Sequence, residues 1–253
     1  MAARLKAEYS DRYNMRFVFA NTGQEHEKTL EFVDRLDKHF RLNLVWVEAD
    51  VHHGKRVGTG FKIVDFKSAS RRGEPYEHVI KKYGIPNKAY PHCNRELKLA
   101  PINKWVESEG LSDRLMAVGI RADEVDRMSV QAEQNKIVYP LISWFPTMKY
   151  EVMAWWSKQP FDLDLPERLG NCTWCWKKSW KKHAENVRED ANIYEFPRRM
   201  ENLYGLAGHN VDGTKRVFFR GNKSAEDILG GNFDGGSDES NGCSEQCDIF
   251  AEN

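Results

Sequence analysis

Apolar positions recur along the chain in two alternating rhythms. Residues 15–20 (MRFVFA) form a short β-rich run that ends in the turn-forming triplet Asn21-Thr22-Gly23. Thr29, Leu30, Phe32, Val33, Leu36 and Phe40 then return at helical spacing with charges between them, and residues 42–47 (LNLVWV) go back to a strand-like run. Strand, helix and strand in that order predict a βαβ unit whose two strands lie parallel under a cover of helices. The polar, glycine-containing stretch 50–73 reads as a loop excursion. A helix is predicted over 75–83, stopped by Gly84-Ile85-Pro86, because a glycine ends the turn and the proline cannot continue it.

Residues 97–108 predict another amphipathic helix, and 115–120 (LMAVGI) and 136–142 (KIVYPLI) two further extended segments. A helix over 147–158 is expected to open on a Thr147 cap, with Val152, Trp155 and Trp156 on its apolar side. Residues 172–187 read as a basic, aromatic helix. Beyond Gly205 the composition changes, and 230–241 is glycine, aspartate, serine and asparagine, which cannot repay the entropy of ordering. The expected organisation is one α/β domain over 1–205 and a largely flexible C-terminal extension over 206–253.

Charge removes one class of partner from this picture. Lysine plus arginine balances aspartate plus glutamate at 38 each, so no global field draws the chain of 253 residues to nucleic acid or an anionic membrane, and any polyanion site is local. No apolar run approaches the roughly 20 residues that span a bilayer, and no secretory signal opens the chain. The expectation is a soluble, cytoplasmic protein with no membrane partner. Five cysteines without a signal are too few for a disulfide scaffold and read as metal ligands, redox thiols or core fillers. A homodimer stays open.

Several ordered blocks carry a family resemblance. Asn21-Thr22-Gly23 with Thr29 and the helix through Asp34 resembles an Asp-Thr-Gly...Glu-Thr segment. Gly73-Glu74-Pro75-Tyr76 with Lys81-Lys82-Tyr83-Gly84-Ile85-Pro86 looks like a substrate-side helix, and Cys93-Asn94-Arg95-Glu96-Leu97-Lys98 to Pro101 resembles a Cys-Thr-Arg...Lys...Pro stretch. Gly119-Ile120-Arg121 with Glu124 and Arg127 resembles a Gly-Ile-Arg...Glu...Arg motif, and Tyr139-Pro140-Leu141-Ile142-Ser143-Trp144 a Pro-Leu-Ile-x-Trp element. In this order, over residues 15–175, they resemble the phosphoadenosine-phosphosulfate (PAPS) reductase-like branch of the adenine-nucleotide alpha-hydrolase superfamily.

The resemblance implies a Rossmann-like adenine nucleotide alpha-hydrolase fold, with a mostly parallel sheet flanked by helices. It also implies an adenine nucleotide ligand, either ATP or PAPS/APS. Thr22, Gly23 and Gly119 would line the nucleotide, with Arg121, Arg127, Arg95 and Lys98 as substrate and anion binders. The residues support part of this directly. Arg121 and Arg127 follow a buried strand end, where doubly wound sheets bind ligands, and a guanidinium fork holds phosphate or sulfate oxygens. Ion pairs with Asp123, Glu124 or Asp126 are the alternative use of the same arginines.

The chain departs from the pattern twice. Asn21 stands where the family has an acid. No Ser-Gly-Gly-x-x-Ser phosphate loop (the PP-loop) precedes a helix, and residues 1–5 already look like the helix that follows it. Either translation starts upstream of Met1, the preferred expectation, or the chain is a remnant that no longer activates ATP.

Cys172-Thr173-Trp174-Cys175 is a C-x-x-C motif beside Lys177 and Lys178, which favour thiolates, and Cys93 supplies a third thiol. Three such ligands leave one iron of a [4Fe-4S] cluster open, which resembles the sulfur-transferring members of the superfamily. A Cys₃His zinc site completed by His92 or His183, or plain redox or structural thiols, are the alternatives. Cys243 and Cys247 form a second pair, C-x-x-x-C, read as exposed thiols. Trp174, Trp176 and Trp180, interleaved with lysines over 172–183, read either as a base-stacking nucleic-acid segment or as an amphipathic helix with its aromatics inward. The implied function is ATP-activated sulfur transfer, with a PAPS or adenylyl-sulfate reductase and a non-catalytic nucleotide- or nucleic-acid-binding remnant as alternatives.

Overall fold

The computed structural model describes residues 1–54, 56–210 and 213–233. Cys243, Cys247 and the rest of 234–253 lie outside the described residues. The βαβ unit forms as its periodicity predicts: β1 (Val18–Asn21) pairs in parallel with β2 (Val45–Val51), joined by α2 (Glu27–Phe40), which follows α1 (Ala2–Tyr9). Leu30, completely buried on α2, packs with Trp46 of β2, so the helix covers the sheet through its apolar stripe.

The excursion is not all loop. Its residues Thr59–Val64 form β3, which pairs antiparallel to β2 and leaves a mixed sheet of order β1-β2-β3. A second, two-stranded parallel sheet is made by β4 (Met116–Ala117) and β5 (Ile137–Val138). The architecture is α/β, but the expected mostly parallel sheet is corrected to these two small sheets among the described residues. The reason lies in β3, whose consecutive residues Lys62 and Ile63, on opposite faces of the strand, are both exposed, so its sequence alternates too weakly to show a strand.

The remaining helices are α3 (Glu74–Tyr83), α4 (Ala100–Ser108), α5 (Pro140–Ser143), α6 (Lys149–Trp156), α7 (Trp180–Glu189), α8 (Glu195–Tyr204) and α9 (Ala225–Leu229). A π-helical turn, Arg95–Leu99, leads into α4. The helix expected over 147–158 starts later than Thr147. Met148 precedes it and the Glu151 carboxylate accepts the Met148 N–H at 2.8 Å, while the Thr147 hydroxyl donates instead to the Phe145 carbonyl at 2.6 Å. No residue of α6 is buried. The helix expected from Cys172 begins only at Trp180, capped by Ser179, and the C-x-x-C motif lies in the turns before it.

The main core gathers around Tyr76, Val79, Ile80, Trp174, Tyr194 and Met200. It also takes in Phe218, Phe219, Ala225 and Ile228, each at most 2% exposed. The domain boundary placed after residue 205 is therefore corrected: residues 213–233 are part of the fold, and their four apolar side chains were outweighed in the sequence by glycines further on. No helix among the described residues is long and apolar enough to cross a membrane.

Candidate functional site

At the C-terminal end of β1 the chain turns through Thr22 and Gly23. Gly23 has φ +76°, and a Cβ there would meet the backbone N and Cα of Gly73 at 3.0 Å, so a glycine is needed both for conformation and for space. The Glu25 carboxylate accepts the Thr22 N–H and hydroxyl at 2.9 Å and fixes the turn. The segment carrying the C-x-x-C motif is stitched to it: Glu25 and Cys172 form an isolated antiparallel bridge, and the Thr173 N–H donates to the Gln24 carbonyl at 3.1 Å. Thr22 Oγ1 stands 3.5 Å from Cys172 Sγ.

The third thiol arrives from the turn that precedes the π-helical residues. Tyr76, in the first turn of α3 and 2% exposed, hydrogen-bonds Cys93 and is under the electrostatic influence of Cys93, Cys172 and Cys175 together. Burial first, and these sulfurs after it, push the Tyr76 hydroxyl well above the ordinary phenol range, so it stays protonated and donates. No disulfide joins any two of the three cysteines, and Cys172 and Cys175 are buried while Cys93 is half-buried. The Lys178 ammonium, on a residue 4% exposed, donates to the Gly170 carbonyl at 2.8 Å and puts a positive charge in the same loop. Among the described residues no group of three or more His, Cys, Asp and Glu side chains is close enough to hold a single metal ion.

The two histidines named as a fourth ligand pack against tyrosines. His183 is completely buried, with Nδ1 2.7 Å from the Tyr194 hydroxyl, and burial holds it neutral with a pKa of about 3. His92 packs on Tyr83 at 5.8 Å between ring centres, and burial lowers its pKa to about 4. The tryptophans of 172–183 point inward: Trp174, Trp176 and Trp180 are 0%, 5% and 9% exposed. These rings belong to the core and are not open to base stacking in this conformation.

Arg121 and Arg127 make the ion pairs named as their alternative use. Arg121 grips Asp123 through two nitrogens at 3.0 Å each, and Arg127 holds Glu124 at 2.8 Å. Glu124 also receives Arg121 at 3.3 Å. An oxyanion at this place has to displace Asp123 before Arg121 can serve it. Gly119 lies against Met1, whose Sδ would be 3.7 Å from an added Cβ. Arg95, on an exposed side chain, pairs with Glu96 at 2.9 Å, and Lys98 sits in the same π-helical turn. The structure thus brings Thr22, Gly23, Cys93, Cys172 and Cys175 together, with Arg95 and Lys98 on the turn after Cys93. Arg121, Arg127 and Gly119 belong to the end of the second sheet.

Sequence reasoning missed two polar groups behind this site. Tyr76 was visible only as part of a helix. Glu48 is a completely buried carboxylate in β2 that accepts Asn21 Nδ2 at 2.6 Å, the Ser70 N–H at 2.6 Å and Lys62 at 2.8 Å. Burial pushes its pKa upward, but Lys62, Ser70 and Asn21 outweigh that and hold it below the ordinary range. A charged residue inside the apolar run of β2 was the available signal.

Comparison with known proteins leaves the family open. The chain is 29% identical over 262 residues to the uncharacterized nin region protein ORF290 of Escherichia phage lambda, covering 94% of this chain and 86% of that one. It is 33% identical over 107 residues to an uncharacterized protein of Methanocaldococcus jannaschii, covering 42% of this chain and 17% of that one. A second uncharacterized protein of the same archaeon is 22% identical over 220 residues, covering 82% of this chain and 46% of its own. No family model and no solved structure matches.

Proposed function

We propose that the chain has a Rossmann-like adenine nucleotide alpha-hydrolase core of the PAPS reductase-like type, and that it serves ATP-activated sulfur transfer at the site built by Cys93, Cys172 and Cys175. The observation that carries this reading is the convergence of all three thiols on one buried tyrosine, beside the loop that ends β1. Ligands in α/β sheets bind beyond the carboxyl ends of the strands, and the Thr22-Gly23 turn occupies such an end. Three soft thiols are the donor type that iron–sulfur clusters take, and all three neighbour Tyr76. Cys93, Cys172 and Cys175 would hold the cluster, which when bound supplies an iron with an open position for sulfur. Tyr76 orients the Cys93 sulfur by donating to it. The core around Trp174 and Leu97 keeps water from the thiols.

Anaerobic purification tests the assignment. Broad visible absorption in the native protein, lost in Cys172→Ser and Cys175→Ser, is the expected result; a colourless protein with one bound zinc contradicts it. Pyrophosphate release from ATP against sulfite release from PAPS separates sulfur transfer from sulfonucleotide reduction. The paired state of Arg121 and Arg127 favours the second alternative, a nucleotide-binding protein without catalysis, and absence of both products in a cluster-loaded protein establishes it.

A further inference from the structure

A cavity of about 420 Å³ opens beside Gly23, on the outer side of the loop that carries Cys172. Its wall includes Thr173, and it is lined by none of Arg121, Arg127, Arg95 or Lys98. We propose that this cavity, framed by Arg71, Arg72 and Arg199 over the ring of Phe196, is a binding site for a small phosphate monoester. The proposal does not rest on the sulfur-transfer reading.

The charges on the wall decide the sign of the ligand. Two acids that face the cavity are already engaged: Glu25 holds the Thr22 N–H and hydroxyl, and Glu195 holds Arg198 at 2.5 Å. Arg71 is held by Glu27 through two bonds, at 2.8 and 3.1 Å, and by the Ala69 and Phe66 carbonyls at 2.8 Å each, so it shapes the rim with its charge already paired. Arg199 has a single, longer contact with Glu77 at 3.3 Å and a side chain 51% exposed, which leaves most of its five N–H donors available. The Arg72 guanidinium is exposed and pairs with no acid among the described residues. The lining carries three arginines against two glutamates, and its available forked donors, those of Arg72 and Arg199, match tetrahedral oxyanions.

Gly73, the N-cap of α3 at φ +81°, packs behind the cavity. A Cβ on Gly73 would meet the Phe196 ring at 2.3 Å and Gln24 Nε2 at 2.6 Å, so only a glycine lets the Phe196 floor of the cavity lie against the start of α3. That floor is aromatic: Phe196 stacks on the buried Trp174 with ring centres 5.7 Å apart, and Arg199 lies 5.6 Å above the same ring. Volume and floor together exceed what inorganic phosphate alone fills and suit a phosphate attached to a ring or chain.

Isothermal titration calorimetry with phenyl phosphate, phenol and inorganic phosphate tests the site on the full chain. Saturable binding of phenyl phosphate is expected, with phenol giving no heat of binding. Arg72→Ala and Arg199→Ala should each weaken phenyl phosphate about tenfold or more, while Arg121→Ala binds as the native chain does. Unchanged melting temperatures in the two exposed-arginine variants show that the fold survives. Absence of saturable binding to the native chain, equal binding of phenol, or loss of binding in Arg121→Ala with Arg72→Ala unaffected overturns the proposal.

Discussion

At the scale of single residues, the acid that the family resemblance calls for at position 21 is excluded by its neighbour. Asn21 donates to Glu48 at 2.6 Å and to the Ser70 carbonyl at 2.8 Å, while its own carbonyl oxygen accepts the Gly23 N–H at 3.2 Å. An aspartate would set two carboxylates side by side in a buried place. Asn21→Asp is predicted to cost about 3 kcal/mol in urea unfolding at pH 7, and less at pH 5, where one carboxyl of the pair takes up a proton. An unchanged midpoint would show that Glu48 does not depend on a neutral partner. Gly23→Ala is predicted to lose about 1–3 kcal/mol from its positive φ and the contact with Gly73, measured in the same way.

At the scale of elements, the segment after residue 205 carries more stability than its composition suggests. Phe218 is completely buried against Trp174, with ring centres 4.8 Å apart, and Arg220 donates to the Lys177 carbonyl in the loop that bears the cysteines. Phe218→Ala is predicted to destabilise the chain by about 3–5 kcal/mol and to raise the alkylation rate of Cys172 and Cys175; a rate equal to the native one would show that the segment does not brace the loop. The same contrast marks what the sequence reveals of the fold. The βαβ unit and α3 are legible because Leu30, Val33, Val79 and Ile80 repeat with the period of their own element. Strand β3 and the C-terminal segment are not, because Thr59 and Phe218 are fixed by long-range partners, Glu96 and Glu201. The site divides in the same manner: the spacing of Cys172 and Cys175 is local, whereas the approach of Tyr76 and the inward turn of three tryptophans depend on packing.

At the scale of the whole molecule, three buried titratable groups set the response to pH. His183 and His92 are held neutral by burial, with pKa values of about 3 and about 4, so the unfolded chain binds more protons than the folded one below about pH 6.5. Their contribution is lost as pH falls. Glu201 acts in the opposite sense: burial raises its pKa to about 7 although it accepts the Phe218 and Ala225 N–H groups at 2.9 and 2.7 Å, so its contribution is lost as pH rises through 7. Stability is therefore predicted to fall between pH 6 and 4.5, and to fall about twice as steeply in Glu201→Gln, where nothing offsets the histidines. Equal slopes in denaturant titrations of the two proteins would remove Glu201 from the account. The central claim concerns the meeting of residues far apart in the chain, and Cys93 is its most exacting member. The iron and sulfide content of anaerobically prepared Cys93→Ser protein tests it most directly. The account predicts a cluster in the native chain that is lost or depleted in Cys93→Ser as it is in Cys172→Ser; iron and sulfide at native levels in Cys93→Ser would contradict it.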